Sequence, residues 1–193
     1  MKVLIATLIA LTVIAATHAG TPSHGPKWRA FDLTGKPHVL PDAGADATIL
    51  IFFIHDCPIC NRYVPEINRI TSGYAGKKVD CYVVYTEGNL TTVAAKRHAG
   101  EYGLKCGLLQ DPDHDVSSAA GVDVAPEAVV LAPNGDVAYR GRIDDLYASL
   151  GMARPAATTH DLRDALEALL ANGKITGDGP RAFGCAIPAR KMP

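Results

Sequence analysis

The apolar run Thr48-Ile49-Leu50-Ile51-Phe52-Phe53-Ile54 leads within three residues to Cys57-Pro58-Ile59-Cys60, and a stretch with helical spacing follows. No other feature constrains the chain as tightly. A continuous, non-alternating apolar run reads as a central strand buried on both faces, which requires structure on either side of it. A strand that delivers two cysteines, with two residues between them, to a helix start makes a dithiol redox arrangement. The free N–H groups and partial positive charge of that helix start stabilise a thiolate, so Cys57 is the candidate nucleophile. Pro58 suits the first helical position, where its missing N–H costs nothing. Cys60 follows about one turn later, placed to resolve a mixed disulfide. The same spacing is half of a zinc site, but no second CxxC or HxxxH completes a tetrahedral set.

Residues 1–19 read as a signal peptide: Lys2, an apolar stretch from Val3 to Ala16, then Thr17-His18-Ala19 with small residues at the cleavage position. The stretch is short for a bilayer, and no second long apolar run follows. The expectation is an exported protein, periplasmic or extracellular, with no membrane span in its mature form. Residues 20–173 suit one domain with a sizeable core, and 174–193 form a C-terminal tail. The 19 Lys and Arg balance 20 Asp and Glu without a basic block, which gives no support for nucleic-acid binding. Five cysteines (Cys57, Cys60, Cys81, Cys106, Cys185) in an exported chain leave at least one thiol free, catalytic or paired with another molecule.

Further signals order the rest of the chain. Trp28–Leu33 and His38–Leu40 flank Thr34-Gly35-Lys36 as a short hairpin. Val64, Ile67 and Ile70 carry the helix that begins at Asn61, with Pro65 as a kink inside it. A second strand is predicted over 78–85, a helix over 91–102 closed by Gly103, and a third, parallel-type strand over 107–110. A short helix near Val116–Ala120 precedes Val124-Ala125-Pro126. Two β-like runs, 128–131 and 136–139, flank Pro133-Asn134-Gly135, and Asn-Gly at that place is a strong hairpin signal. A last helix over 161–171 shows the stripe Leu162, Ala165, Leu166, Leu169, with Thr158 or Thr159 as its cap and Asn172-Gly173 as its stop. The tail beyond reads as irregular. Strands and helices in this order give an α/β fold, a mixed central sheet flanked by helices.

Around the cysteine pair, protonated His55 would lower the Cys57 pKa and Asp56 would raise it. Cys185, in Phe183-Gly184-Cys185-Ala186-Ile187, is a candidate resolving thiol or an inert tail cysteine, expected outside the packed domain and redox-accessible. The tail is long enough to reach the active site. Cys81 and Cys106 are packed small hydrophobes or a structural cross-link. His98 and His114 read as surface residues, and the histidines form no metal spacing.

From about Lys27 onward the chain resembles the peroxiredoxin-like redoxins of the alkyl hydroperoxide reductase/thiol-specific antioxidant group, within the thioredoxin superfamily. The resemblance rests on Asp56 to Ile67, on Ala125-Pro126-Glu127-Ala128, on Tyr139-Arg140-Gly141-Arg142-Ile143-Asp144-Asp145, and on Phe183 to Ile187. It implies a thioredoxin-like fold, with the element between the second strand and the hairpin as an inserted α-β unit. It implies antioxidant or disulfide oxidoreductase activity centred on Cys57. It also implies a cis Ala125-Pro126 peptide beside the Cys57 sulfur, presenting backbone to a peptide or mixed-disulfide partner. Two departures stand out. The buried acid that thioredoxins keep six residues before the first cysteine is Ile51 here, leaving Glu66 or Glu127 as substitutes. The hydroxyl residue that peroxiredoxins place three residues before the peroxidatic cysteine is Ile54.

The leading expectation is therefore an exported thiol–disulfide oxidoreductase with Cys57 attacking and Cys60 resolving, Cys185 as a further candidate resolving thiol, and Ala125 and Pro126 binding substrate. Its partners would be protein thiols and disulfides or small hydroperoxides, plus a reducing partner protein, with no cofactor and no metal. One alternative is a thiol peroxidase, with Cys57 peroxidatic and Cys60 or Cys185 resolving. Another is a copper or other metal-binding protein using Cys57, Cys60 and a histidine, for which His160 is available.

Overall fold

The computed structural model describes residues 28–188, so the leader expected over residues 1–19 lies outside it. The chain opens with the expected hairpin, β1 (Trp28–Asp32) and β2 (Pro37–Leu40), in which the Asp32 carboxylate accepts from the backbone of Thr34 and Lys36 to shape the turn. There follow β3 (Ala47–Phe53), α1 (Pro58–Gly73), β4 (Val79–Tyr85), α2 (Thr92–Tyr102), β5 (Gly107–Gln110) and α3 (Asp115–Ala120). Next come β6 (Val124–Ala125), β7 (Glu127–Leu131), β8 (Val137–Gly141), β9 (Tyr147–Ser149), β10 (Met152–Ala153) and α4 (Asp161–Asn172). Two very short strands end the described chain, β11 (Gly177–Asp178) and β12 (Cys185–Ala186).

Eight strands form one mixed sheet in the order β11-β8-β7-β3-β4-β5-β1-β2. β3, β4 and β5 run parallel, as the intervening helices require, while β7 and β8 return antiparallel on one side and β1 and β2 on the other. Every residue of β3 is buried. Its apolar run is continuous because both faces are covered. Ile49, Ile51 and Phe53 join the cluster under α1 and α4, built with Ile59, Val64, Ile67, Leu162, Leu166 and Leu169. Leu50 and Phe52 point to the other face, against Trp28, Leu40 and, from α3, Val116 and Ala120. Two cores thus clamp the strand that ends at the cysteine pair.

Two expectations fail locally. Neither Thr158 nor Thr159 caps α4. His160 holds that place without a side-chain cap; the Thr158 hydroxyl donates to Asp145 and the Thr159 hydroxyl to Asp161. The tail, predicted as irregular, is stitched to the sheet. β11 runs parallel to β8, the Gly179 N–H donates to the Arg140 carbonyl at 2.7 Å, and the Arg142 N–H to the Pro180 carbonyl at 3.0 Å. This contact needs glycine at Gly141, where a Cβ would stand 2.9 Å from the Pro180 carbonyl oxygen.

The Arg140–Asp145 motif therefore has a structural use. Arg140 donates to the Ala120 and Gly121 carbonyls and to Asp178, and Arg142 to Asp161. Asp144 accepts from the Tyr63 hydroxyl and the Leu146 N–H. The run ties α1, α3, α4 and the tail to one strand end. Among the described residues no helix is long and apolar enough to cross a membrane.

Candidate active site

α1 begins at Pro58, the first helical position that the cysteine pair indicates and three residues before the Asn61 start read from the apolar spacing. Cys57 is its N-cap residue, with extended backbone, and Pro58 opens the first turn. The helix runs through Pro65 to Gly73. The Cys57 sulfur is bonded to Cys185, 128 residues away, and lies 3.7 Å from the Ala125 carbonyl oxygen. The Ala125-Pro126 peptide is cis. The site thus gathers Cys57, Cys185, Ala125 and Pro126, which no local stretch of sequence places together.

The expectation that Cys185 lies outside the packed domain is corrected here. The cysteine is half-buried in β12, which pairs antiparallel with β6, Cys185 opposite Ala125. The Ile187 N–H adds a bond to the Asp123 carbonyl at 2.9 Å. Phe183 and Ile187 pack against the core, and Ala182 is buried.

Cys60 is a free thiol with no exposed surface. Burial, more than the nearby Glu87 and Asp56 charges, pushes its pKa far above the ordinary thiol range. In this state Cys57 is paired with Cys185, not with its neighbour in the CPIC motif.

The loop before Cys57 is held by a polar chain absent from the sequence reading. Glu87 Oε1 accepts from the His55 N–H at 2.8 Å and lies 2.5 Å from His55 Nδ1. The Asn61 side chain donates to the His55 carbonyl at 3.0 Å and meets His98 Nε2 at 2.8 Å, while His98 Nδ1 faces the Tyr85 hydroxyl at 2.8 Å. His98 is consequently buried, not a surface residue, and burial, with the His55 charge, lowers its pKa. His114 is buried too, its Nε2 2.7 Å from the Thr86 carbonyl. The signal for Glu87 is only its place just beyond β4, parallel to the strand that carries His55.

Of the two candidate acids, Glu66 is paired with Arg69 and Arg163. Glu127 is buried, and burial pushes its carboxyl up to about 7. Its β7 neighbours Val129 and Leu131 belong to the core on the side away from α1, so Glu127 points away from the cysteine helix. Cys81 and Cys106 remain free and sit side by side on β4 and at the start of β5, since Tyr82 pairs with Gly107. Hydrogen bonding to Cys106, then burial, push the Cys81 thiol up.

Among the described residues, ligand-type atoms converge at His55, Asp56 and Glu87 and at Glu66, Asp144 and His160. Neither group contains a cysteine, so the set of Cys57, Cys60 and a histidine expected for a copper site is not assembled.

A profile of the Redoxin family matches residues 23–148, about two thirds of the chain. The chain belongs to the Redoxin family. This redoxin is 26% identical over 112 residues to the thiol-disulfide oxidoreductase ResA of Bacillus anthracis, an overlap of 58% of this chain and 64% of that protein. It therefore spans less than two thirds of the curated relatives it matches. Their name is a thiol–disulfide oxidoreductase, which supports the broader redoxin resemblance and not specifically the peroxiredoxin-like one. In fold the redoxin is similar to an uncharacterized conserved protein from Geobacillus kaustophilus, with TM-score 0.72 and 23% identity over 87% of this chain and 91% of that one. A hypothetical protein from Sinorhizobium meliloti gives TM-score 0.70 and 20% identity over 86% and 92%.

Proposed function

We propose that this redoxin is an exported thiol–disulfide oxidoreductase in which Cys57 attacks and Cys185 resolves. One observation carries the reading: the cysteine at the start of α1 is bonded to Cys185 while touching the Ala125 carbonyl beside Pro126. The dithiol junction and the ResA likeness support it, and the leader-like residues 1–19 support export.

In the reduced protein the start of α1 favours the Cys57 thiolate. It attacks one sulfur of a partner disulfide, and the bond's electron pair leaves on the other sulfur as a thiolate. The Cys185 thiolate then attacks the Cys57 sulfur of the mixed disulfide. The partner departs as a dithiol and the Cys57–Cys185 bond remains. A reducing partner protein, itself a dithiol, returns the site to its starting state by the same exchange. Cys60, wholly buried and with its pKa raised, is a poor thiolate at neutral pH and is held in reserve behind Cys57.

Variants separate the roles. Cys57→Ser is expected to abolish insulin reduction, whereas Cys185→Ser accumulates mixed disulfides with substrate. In reduced wild-type protein, iodoacetamide at neutral pH should label Cys57 and Cys185 well before Cys60. First labelling of Cys60, or trapping by Cys60→Ser and not by Cys185→Ser, would return the resolving role to the CPIC pair. Rapid hydroperoxide consumption by the reduced protein would favour the peroxidase alternative.

A further inference from the structure

Three features of the tail coincide at one strand edge. β12 adds antiparallel to β6, and the Ile187 N–H extends the ladder to Asp123. The Cys185 sulfur, at the first rung of this short ladder, is bonded to the nucleophile. Just before it, the Gly184 backbone approaches so closely that a Cβ there would stand 2.0 Å from the Ala125 carbonyl oxygen and 3.0 Å from the Pro126 nitrogen. An extended segment that adds a strand, seats flanking side chains and joins its cysteine to the nucleophile has the form of a peptide caught as a mixed disulfide. Here the chain supplies that peptide itself.

We propose that residues 182–187 are the resident occupant of a peptide-binding edge, and that the partner is a polypeptide presenting an extended glycine-cysteine segment to the same edge. This rests on Cys57 being the nucleophile. A partner cysteine that reaches Cys57 in this register must lay its backbone against Val124 and Ala125. The residue before that cysteine then meets the Ala125 carbonyl, and only glycine leaves it room. In the oxidised protein the edge is filled. A dithiol reductant opens it: one reductant thiolate takes a sulfur of the Cys57–Cys185 bond, its second thiol closes the reductant disulfide, and both cysteines are left as thiols. The tail strand, then held only by its short ladder and apolar contacts, yields to the partner.

The test uses full-length Cys60→Ser/Cys185→Ser protein, with every rate and the control counted only for attachment that mass mapping places on Cys57 and not on the remaining free thiols Cys81 and Cys106. Two peptides, Ala-Phe-Gly-Cys-Ala-Ile and Ala-Phe-Val-Cys-Ala-Ile, each carry thionitrobenzoate on the cysteine sulfur. Attack by Cys57 on that sulfur joins the peptide and releases coloured thionitrobenzoate. The glycine peptide is expected to react about tenfold faster than the valine peptide, because the valine side chain would overlap backbone. Adding Gly184→Val to the protein should speed the glycine peptide about threefold or more, since the tail can no longer seat. Equal rates for the two peptides overturn the proposal, as does a Gly184→Val rate that is unchanged. The small disulfide dithiobis-nitrobenzoate is the control. If it reacts while the peptides are not distinguished, the edge fails and the activity stands. If it does not react, Cys57 is not the nucleophile and both readings fall.

Discussion

Cys57 and Cys60 are three residues apart and chemically unlike, because one stands at the start of α1 beside a strand edge and the other is enclosed behind it. A similar contrast separates the acids. Glu66 is neutralised by two arginines, while Glu127 is buried with its carboxyl pushed up to about 7. Burial is the main cause, with Arg140 and Arg181 opposing it and Asp123 and Asp178 adding to it. The sign of its effect on stability follows. Between the ordinary 4.5 and the native value the folded state holds a proton that the unfolded state has lost. The contribution is complete below about pH 4.5 and is lost as the pH rises through about 7, on the order of 3 kcal/mol in all. Glu127→Gln should therefore flatten the decline of urea-unfolding stability between about pH 5 and 8 and leave the variant the more stable at the upper end. A decline unchanged by the substitution would mean that Glu127 is ordinarily ionised in the native state.

At the scale of elements, α4 is the outer support of the sheet face that carries α1. It lacks a side-chain cap, so its position depends on Leu162, Leu166 and Leu169, all buried in the common core. Leu166→Ala is expected to destabilise the protein by about 3 kcal/mol through lost burial and the cavity left behind. Its unfolding midpoint in urea should drop with an unchanged slope. An effect below about 1 kcal/mol would show that the face closes over the gap. β8 matters in a different way, because its Arg140 and Gly141, with Arg142 just beyond it, guide the tail from α4 back toward Cys57. The Arg140–Asp145 run, conspicuous in the sequence, serves this routing.

Across the whole molecule, the Cys57–Cys185 bond closes a loop with 128 residues of sequence separation and so ties the last described strand to the middle of the chain. Such a cross-link restricts the unfolded state strongly, by up to about 4–5 kcal/mol in the chain-entropy account. Dithiothreitol should lower the melting temperature of wild-type protein, and Cys185→Ser should melt at the reduced value with or without reductant. Equal melting of oxidised and reduced wild-type protein would mean that the tail remains equally ordered in both unfolded states, contrary to this account.

The central strand, the helix that starts at Pro58, the Asn134-Gly135 hairpin and the stripe of α4 were all legible in the sequence, because periodicity and turn chemistry act over a few neighbouring residues. So was Cys57 as the candidate nucleophile, since its environment is set by the strand before it and the helix after it. The partner of Cys57 was legible only as one of two candidates, Cys60 and Cys185. Cys60 is near in sequence but enclosed, and Cys185 is far in sequence but carried to the sulfur by a tail that follows β8 and then pairs with β6. The burial of His98, the grip of Glu87 on His55 and the orientation of Glu127 away from α1 are likewise products of which strands lie side by side. Local pattern specifies elements through short-range sterics and hydrogen bonds. Which side chains meet is decided by sheet order and chain path, and these depend on burying both faces of the central strand at once.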